Sequence, residues 1–295
     1  MPAPGEPWTV MGLILWSAAY LGDKGVASGR LDAEYLLADV LGVERLQLYL
    51  QFDRPLSEEE LARFKVSLQR RARREPLQYI LGRTAFRELD LLTDPRALIP
   101  RPETEGLVEL VLEAVGAGPD LVALDVGTGT GAIALSLALE GPFRHVVATD
   151  ASSEALSLAR ANTERAGMVD RVELREGATW DPVLPGERFH VVVSNPPYVT
   201  VGDMATLEPE VASWEPHGAL ASGESGLDLL SVLVSGARER LVEGGLLALE
   251  LGAEQGARVV EMATEAGLEE PRLHRDLAGR ERYVVARSPG GPARP

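Results

Sequence analysis

The chain of 295 residues contains no cysteine. Disulfide bonds and thiolate metal sites are therefore excluded, and we expect a protein of the reducing cytoplasm. Long apolar runs are missing too: no stretch of 18 apolar residues occurs, so the sequence predicts no transmembrane helix. The first apolar stretch, residues 10–21, follows Glu6 and Trp8 without a basic leader, and we predict a helix there rather than a signal peptide.

Positive charge is scarce. The chain has 29 basic and 45 acidic residues, which gives a net charge of −16. Proteins that grip phosphate backbones normally need a basic surface, so we expect no direct nucleic-acid partner. One predicted helix does carry a basic cluster: Arg63, Lys65, Arg70, Arg71, Arg73 and Arg74. Its acidic neighbours Glu58, Glu59, Glu60 and Glu75 favour a solvated, ion-paired face over a nucleic-acid site.

Residues 1–76 have the pattern of a small helical domain. Leu36, Leu37, Val40 and Leu41 recur at helical spacing, and no alternating strand pattern interrupts them. The predicted helices are one capped by Thr9 and ended by Gly22–Gly25, one over 31–41, one over 43–50, and one opened by a Ser57–Glu60 capping box and ended before Pro76.

The sequence after residue 76 predicts a linker followed by an α/β domain. Residues 77–118 hold a predicted β-hairpin around Phe86–Leu92 and a lead-in helix that ends near Val115. Residues 119–287 alternate strands and helices, which is typical of a doubly wound, mostly parallel sheet with helices on both faces. The seven predicted strands are 121–126, 145–150, 171–175, 189–194, 246–251, 272–274 and 282–287. We predict that the Gly/Pro-rich tail, 288–295, is disordered.

A glycine loop follows the first of these strands. Gly127-Thr128-Gly129-Thr130-Gly131 leads straight into a helix, so its backbone can approach a ligand closely and offer free N–H groups. Asp150 ends the next strand, where an acidic side chain can accept ribose hydroxyl protons. With Ala132 the loop also satisfies the dinucleotide fingerprint, so by itself it leaves NAD and S-adenosylmethionine both open.

A second loop, Asn195-Pro196-Pro197-Tyr198, follows the fourth strand. Two prolines remove two backbone donors and stiffen the chain. A strand-ending turn would suffice to explain such residues. However, the Asn195 oxygen and a proline carbonyl suit the two hydrogens of a planar NH₂ group, with Tyr198 as a wall. The loop resembles the substrate loop of methyltransferases that act on amide or exocyclic amino nitrogens, which favours S-adenosylmethionine over NAD.

Together these segments resemble the bacterial release-factor glutamine methyltransferase family, also called HemK or PrmC. The matching motifs span nearly the whole chain: Pro76–Gly82, Pro100–Glu105, Gly127–Gly131, Ser194–Tyr198, Glu215–Pro216 with Ala219–Leu220, Gly226–Asp228 and Asp276–Gly279. The resemblance implies a Rossmann-like methyltransferase domain that binds S-adenosylmethionine, preceded by a helical domain that helps to recognise the substrate. The implied reaction methylates the glutamine amide in the Gly-Gly-Gln motif of class-1 peptide chain release factors.

The resemblance also assigns roles by position. It implies that Gly127–Gly131 line the methionine part of the cofactor, Asp150 the ribose and Trp180 the adenine, although Ala178 and Thr179 stand where many relatives have an acidic residue. Asn195, Pro196 and Tyr198 would be catalytic, and with Pro197 they would bind the substrate glutamine. Asn195 would also contact the cofactor. Three alternatives to this function stay open: glutamine methylation of a ribosomal protein, amino-methylation of adenine in nucleic acid, and a non-catalytic scaffold.

Overall fold

A computed structural model describes residues 7–115 and 120–290. The predicted boundary at 118/119 and most of the predicted disordered tail lie outside these residues. The helices are α1 (Val10–Asp23), α2 (Gly29–Leu41), α3 (Arg45–Leu50), α4 (Glu58–Arg71), α5 (Leu77–Leu81), α6 (Pro102–Ala114), α7 (Ala132–Glu140), α8 (Ser153–Arg165), α9 (Pro209–Trp214), α10 (Asp228–Arg240) and α11 (Gly256–Glu265). The strands are β1 (Arg83–Phe86), β2 (Leu89–Leu92), β3 (Leu121–Val126), β4 (Phe143–Asp150), β5 (Val172–Glu176), β6 (Phe189–Ser194), β7 (Leu241–Glu250), β8 (Glu269–Arg275) and β9 (Glu281–Arg287).

The helices of the N-terminal unit begin and end where local signals place them. Thr9 caps α1 by accepting a hydrogen bond from the Gly12 N–H, and Ser57 with Glu60 forms the predicted capping box of α4. Gly42 ends α2 in the left-handed conformation. The predicted helical N-terminal region is thus confirmed. We did not predict α5, although Gly82 ends it in the same way as Gly42 ends α2.

By its contacts this unit comprises the described part of residues 1–82 together with the segment Glu208–Trp214, which holds α9. Its core is apolar, with Ile14, Leu37 and Phe64 almost fully buried. A buried charge cluster joins its helices. Arg71 is only 5% exposed, and its guanidinium contacts Asp32 at 2.6 Å and Glu210 at 2.8 Å.

The second unit contains the β1–β2 hairpin and a seven-stranded sheet in the order β5-β4-β3-β6-β7-β9-β8. The strands from β5 to β7 pair in parallel, whereas β9 runs antiparallel to β7, and β8 antiparallel to β9. The predicted fold class, with its hairpin and mostly parallel sheet, is confirmed. Each of the seven predicted strands is present, with bounds that shift by a few residues.

Both faces of the sheet are covered by apolar side chains. One core contains Val108 of α6 and Leu135 of α7, and the other contains Leu233 of α10 and Val259 of α11. Because the sheet is buried on both sides, its strands are continuous apolar runs such as Val191–Val193. Among residues 7–115 and 120–290, no helix combines the length and apolarity that crossing a bilayer requires.

We predict that Arg71→Met lowers the stability of the N-terminal unit by about 3 kcal/mol or more, because it leaves the buried Asp32 carboxylate without its cation. Urea unfolding followed by tryptophan fluorescence measures this, since Trp8, Trp16 and Trp214 lie in that unit.

Arg63→Met is the matched control on the same helix. The Arg63 side chain is exposed, so its loss should cost less than about 1 kcal/mol. Equal losses in the two variants would contradict a special role for the buried cluster.

Candidate active site

The carboxyl ends of β3, β4 and β6 enclose a cavity of about 490 Å³. This volume is within the range of about 300–1,000 Å³ that is usual for small-molecule sites. Polar groups on its wall include Asp150, Thr179 and Asn195, and the apolar part includes Ala97 and Leu229. The strand order reverses at β3, which has β4 on one side and β6 on the other. Ligands of doubly wound sheets bind at such a point.

The glycine loop between β3 and α7 folds over the end of β4. Gly127 and Gly129 have φ angles of +75° and +56°, which a side chain would disfavour. The N–H groups of Gly127 and Thr128 donate to the Thr149 carbonyl at 2.8 and 2.9 Å. These bonds place the Gly127 and Gly129 backbone on the wall of the cavity.

Asp150 at the end of β4 is fixed by two backbone donors. Its Oδ2 accepts from the Gly129 N–H at 2.9 Å, and its Oδ1 accepts from the Ser152 N–H at 2.9 Å. A carboxylate has about four acceptor sites, so each oxygen keeps capacity for a ligand hydroxyl. Asp150 therefore both ties the glycine loop to β4 and offers an acceptor pair to the cavity.

Asp125, which we did not single out from the sequence, lies fully buried beneath this loop. Its Oδ2 accepts from the Thr128 hydroxyl at 2.6 Å and from the Ala134 N–H at 3.2 Å. Burial raises the pKa of Asp125 to about 7. The available signal was an acidic residue inside the apolar run Leu121–Val126.

The Asn195–Tyr198 loop begins where β6 ends, as predicted. The Ser194 hydroxyl donates to the Val126 carbonyl at 2.6 Å, which joins the start of this loop to the end of β3. The Asn195 Nδ2 donates to the Thr104 hydroxyl oxygen at 3.0 Å, and the Tyr198 carbonyl accepts from the Gln255 amide at 3.0 Å. The loop is thus held at both ends.

Behind Asn195 lies a second buried acid that we did not predict, Glu250 of β7. Its Oε2 accepts from the Thr104 hydroxyl at 2.8 Å, and its Oε1 accepts from the Tyr198 hydroxyl at 3.3 Å. Burial raises the pKa of Glu250 to about 7, and burial likewise raises the pKa of Tyr198 to about 12. Here too the signal was an acidic residue in an apolar run, Leu246–Leu251.

Glu215 is buried and binds the segment that precedes α6. Its carboxylate accepts from the Ile99 N–H at 3.3 Å and pairs with the Arg101 guanidinium. Burial raises the pKa of Glu215 above its usual range. These bonds favour a loop-anchoring role for Glu215 rather than acid–base chemistry.

The cavity brings together five of the predicted site residues: Gly127, Gly129, Asp150, Asn195 and Pro197. Six other predicted residues are not part of its lining: Thr128, Thr130, Gly131, Trp180, Pro196 and Tyr198. Most of these flank lining residues in the two loops.

Trp180 stands apart from the others. Its indole N–H donates to the Val232 carbonyl at 3.0 Å, and its ring packs against the core that contains Leu233. A Cβ built on Gly236 of α10 would lie only 2.2 Å from the indole nitrogen, so the ring fills that space. Its predicted place beside the adenine stays a prediction, whereas its observed contacts are those of a packing residue.

Two protein families match the chain. The PrmC N-terminal domain matches residues 13–82, and the methyltransferase small domain matches residues 107–208. The release factor glutamine methyltransferase of Geobacter sulfurreducens is 43% identical over 283 residues, which cover 96% of this chain and 98% of that protein. The protein of the same name from Deinococcus radiodurans is 42% identical over 281 residues, or 95% and 98% of the two chains.

Among solved structures, a methyltransferase from Pyrococcus furiosus superposes with a TM-score of 0.52. It is 21% identical in sequence, and the match covers 68% of this chain and 90% of that one. At this identity the likeness supports the fold alone.

We predict that Trp180→Phe lowers the free energy of unfolding by about 1 kcal/mol, through loss of the indole hydrogen bond, and leaves the binding of S-adenosylmethionine within a few-fold. Isothermal calorimetry and urea unfolding give the two quantities. Ala178→Leu, at a position on the cavity wall, is the control that should weaken binding. A tenfold loss of affinity in Trp180→Phe with unchanged stability would place the ring beside the adenine instead.

Proposed function

The chain belongs to the release factor glutamine methyltransferase family, and we propose that it transfers a methyl group from S-adenosylmethionine to the glutamine side-chain amide of the Gly-Gly-Gln motif in class-1 peptide chain release factors. The observation that carries this proposal is the Asn195 side chain on the cavity wall, with its NH₂ group committed to Thr104. Its carbonyl oxygen is thereby left to accept a hydrogen bond from a substrate NH₂.

The residues present fit the proposed cofactor. The Asp150 carboxylate offers acceptors for two ribose hydroxyls, and the backbone of Gly127 and Gly129 permits close approach of the methionine part. Ala178 and Thr179 lie on the part of the wall that follows β5. When bound, S-adenosylmethionine supplies an electrophilic methyl group on a sulfonium.

Alignment of a weak nucleophile is the main task of the protein. The lone pair of an amide nitrogen is delocalised into its carbonyl, so the nitrogen must be held in line with the methyl group. We propose that Asn195 Oδ1 and the Pro196 carbonyl accept the two N–H bonds of the target glutamine, while Tyr198 and Pro197 wall the site.

These two acceptors also favour the transition state. As positive charge develops on the glutamine nitrogen, its N–H groups become stronger donors, so both hydrogen bonds strengthen during the transfer. The methylated nitrogen is then acidic enough to lose a proton to water, and the mechanism needs no strong general base.

The helical domain, residues 1–76, helps to recognise the release factor, residues 77–118 link it to the catalytic domain, and residues 119–287 carry the chemistry. Because translation termination is cytoplasmic, the protein acts in that compartment. The net charge of −16 supports a protein rather than a nucleic-acid substrate.

A transfer assay with tritiated S-adenosylmethionine tests the proposal directly. Four substrates are offered side by side: a class-1 release factor, the same factor with Gln→Ala in its Gly-Gly-Gln motif, ribosomal protein and DNA. We expect label in the intact release factor alone. Label in DNA, in ribosomal protein or in the Gln→Ala factor would overturn the assignment.

We predict that Asn195→Ala lowers kcat by roughly 100-fold, the scale of losing one transition-state hydrogen-bond partner, and leaves cofactor affinity within a few-fold. Steady-state kinetics and calorimetry separate the two effects. Equal losses in both quantities would make Asn195 a cofactor or structural residue.

Asp150→Ala should show the opposite pattern, because the ribose acceptors are lost while the glutamine acceptors remain. We expect weaker S-adenosylmethionine binding by roughly tenfold or more, about 1.4 kcal/mol, and a kcat at saturating cofactor that changes less than the affinity. Unchanged affinity would remove Asp150 from the ribose site.

A further inference from the structure

The Asn195 side-chain amide can adopt two orientations that have nearly the same shape. The oxygen and the NH₂ group of an asparagine amide have nearly the same size, and a half-turn of the terminal torsion exchanges them. If Asn195 binds the substrate NH₂ as proposed above, only one of the two orientations is productive. Some neighbouring group must select it.

Thr104 is the neighbour that faces this amide. The Thr104 side chain is buried, and its hydroxyl oxygen lies 3.0 Å from Asn195 Nδ2 and 2.8 Å from Glu250 Oε2. A hydroxyl has one hydrogen. When Glu250 is ionised it can only accept, so the Thr104 hydrogen points to Glu250 and a lone pair points to Asn195.

We propose that Thr104 and Glu250 are positioning residues for Asn195: the ionised Glu250 carboxylate takes the single hydroxyl hydrogen of Thr104, so that Asn195 must give its NH₂ group to Thr104 and keep Oδ1 for the substrate. This inference rests on the proposed role of Asn195. The selected orientation of the Asn195 amide also depends reversibly on the protonation state of Glu250.

Protonation of Glu250 reverses the direction of the chain of hydrogen bonds. Because Oε1 already accepts from the Tyr198 hydroxyl, the added proton lies on Oε2 and is donated to the Thr104 oxygen. The buried Thr104 hydrogen then needs another acceptor. Asn195 Oδ1 becomes that acceptor after a half-turn of the amide. The Asn195 NH₂ group then faces the NH₂ group of the substrate glutamine, and two donors cannot form a hydrogen bond with each other. The relay is therefore intact when Glu250 is ionised and lost when it is protonated.

Burial sets the pH at which the change occurs. The Glu250 side chain is almost fully buried, and this raises its pKa to about 7. The titratable and charged groups that face it are Glu103 on α6, Tyr198 in the loop, and Arg282 and Tyr283 on β9. The hydrogen bonds from Thr104 and Tyr198 and the charge of Arg282 lower the pKa of Glu250, whereas Glu103 raises it, and burial remains the largest effect. Since the ionised form is the productive one, kcat should rise with pH through about 7.

The two asparagines of the chain, Asn162 and Asn195, make a direct test possible. Protein labelled with ¹⁵N only at the asparagine side chains gives two NH₂ groups in an NMR spectrum. Asn162 donates to the Leu92 and Thr130 carbonyls and serves as the internal reference. We expect the Asn195 NH₂ resonances to titrate with a midpoint near pH 7, without any substrate present.

Three variants identify the cause of that titration. Glu250→Gln should abolish it although Asp125 still titrates, and Thr104→Val should abolish it although Glu250 keeps its charge. Thr104→Ser keeps the hydroxyl and should restore it. A midpoint that persists in Thr104→Val would show a through-space effect of the charge and would overturn the relay, as would a wild-type Asn195 signal that does not titrate.

Kinetics provide the second measurement. At saturating cofactor and release factor, Thr104→Val should lower kcat roughly 10- to 100-fold, the usual scale for a residue that orients a site residue, with a pH-independent kcat between pH 6 and 8. Thr104→Ser should recover most of the activity together with the pH dependence. If no substrate is methylated by the wild type, the proposed function fails, but the NMR titration still decides the relay.

Discussion

The parallel pairing of β3 with β4 and β6 is the constraint on which the site depends. Parallel strands end at the same edge of a sheet, and the strand order reverses at β3, so a crevice opens there. This arrangement brings the glycine loop, Asp150 and Asn195 to one cavity although they lie far apart in the chain. The strand ends that carry the two loops are also joined directly, since the Ser194 hydroxyl donates to the Val126 carbonyl. The proposed cofactor and substrate sides of the cavity are therefore built on one sheet edge.

Three buried carboxyl groups lie near this edge, and each accepts a hydrogen bond from a residue close to the cavity. Asp125 binds Thr128, Glu215 binds the Ile99 N–H, and Glu250 binds Thr104. Burial raises the pKa of all three, so the folded state binds protons more tightly than the unfolded chain does. Their contribution to stability consequently decreases as pH rises through the folded pKa values, near 7 for Asp125 and Glu250. The proposed relay requires the ionised Glu250, so activity and stability favour opposite protonation states.

Local patterns in the sequence were sufficient for the sheet and for the two loops. Continuous apolar runs predicted the buried strands, and glycines or prolines at their ends predicted the loops. The Thr104–Glu250 contact could not be predicted in this way, because its partners are 146 residues apart and periodicity carries no information on which acids converge. The same limit applies to Glu210, whose pairing with Arg71 depends on tertiary packing. The acids inside apolar strands were nevertheless visible, and an acid in such a run requires a buried partner.

The double proline gives the proposed relay behind Asn195 a physical reason. Pro196 and Pro197 have fixed φ angles and no N–H donors, so the backbone of the loop cannot adjust to correct a misplaced acceptor. The Pro196 carbonyl is always an acceptor, whatever its surroundings. The Asn195 amide is different, because its terminal torsion has two states of similar shape and opposite hydrogen-bonding character. Because the loop backbone is stiff, the orientation of the Asn195 amide is the main variable left in the proposed site. The Thr104 hydroxyl has a single hydrogen, which the Glu250 carboxylate orients, and this is sufficient to select one amide orientation.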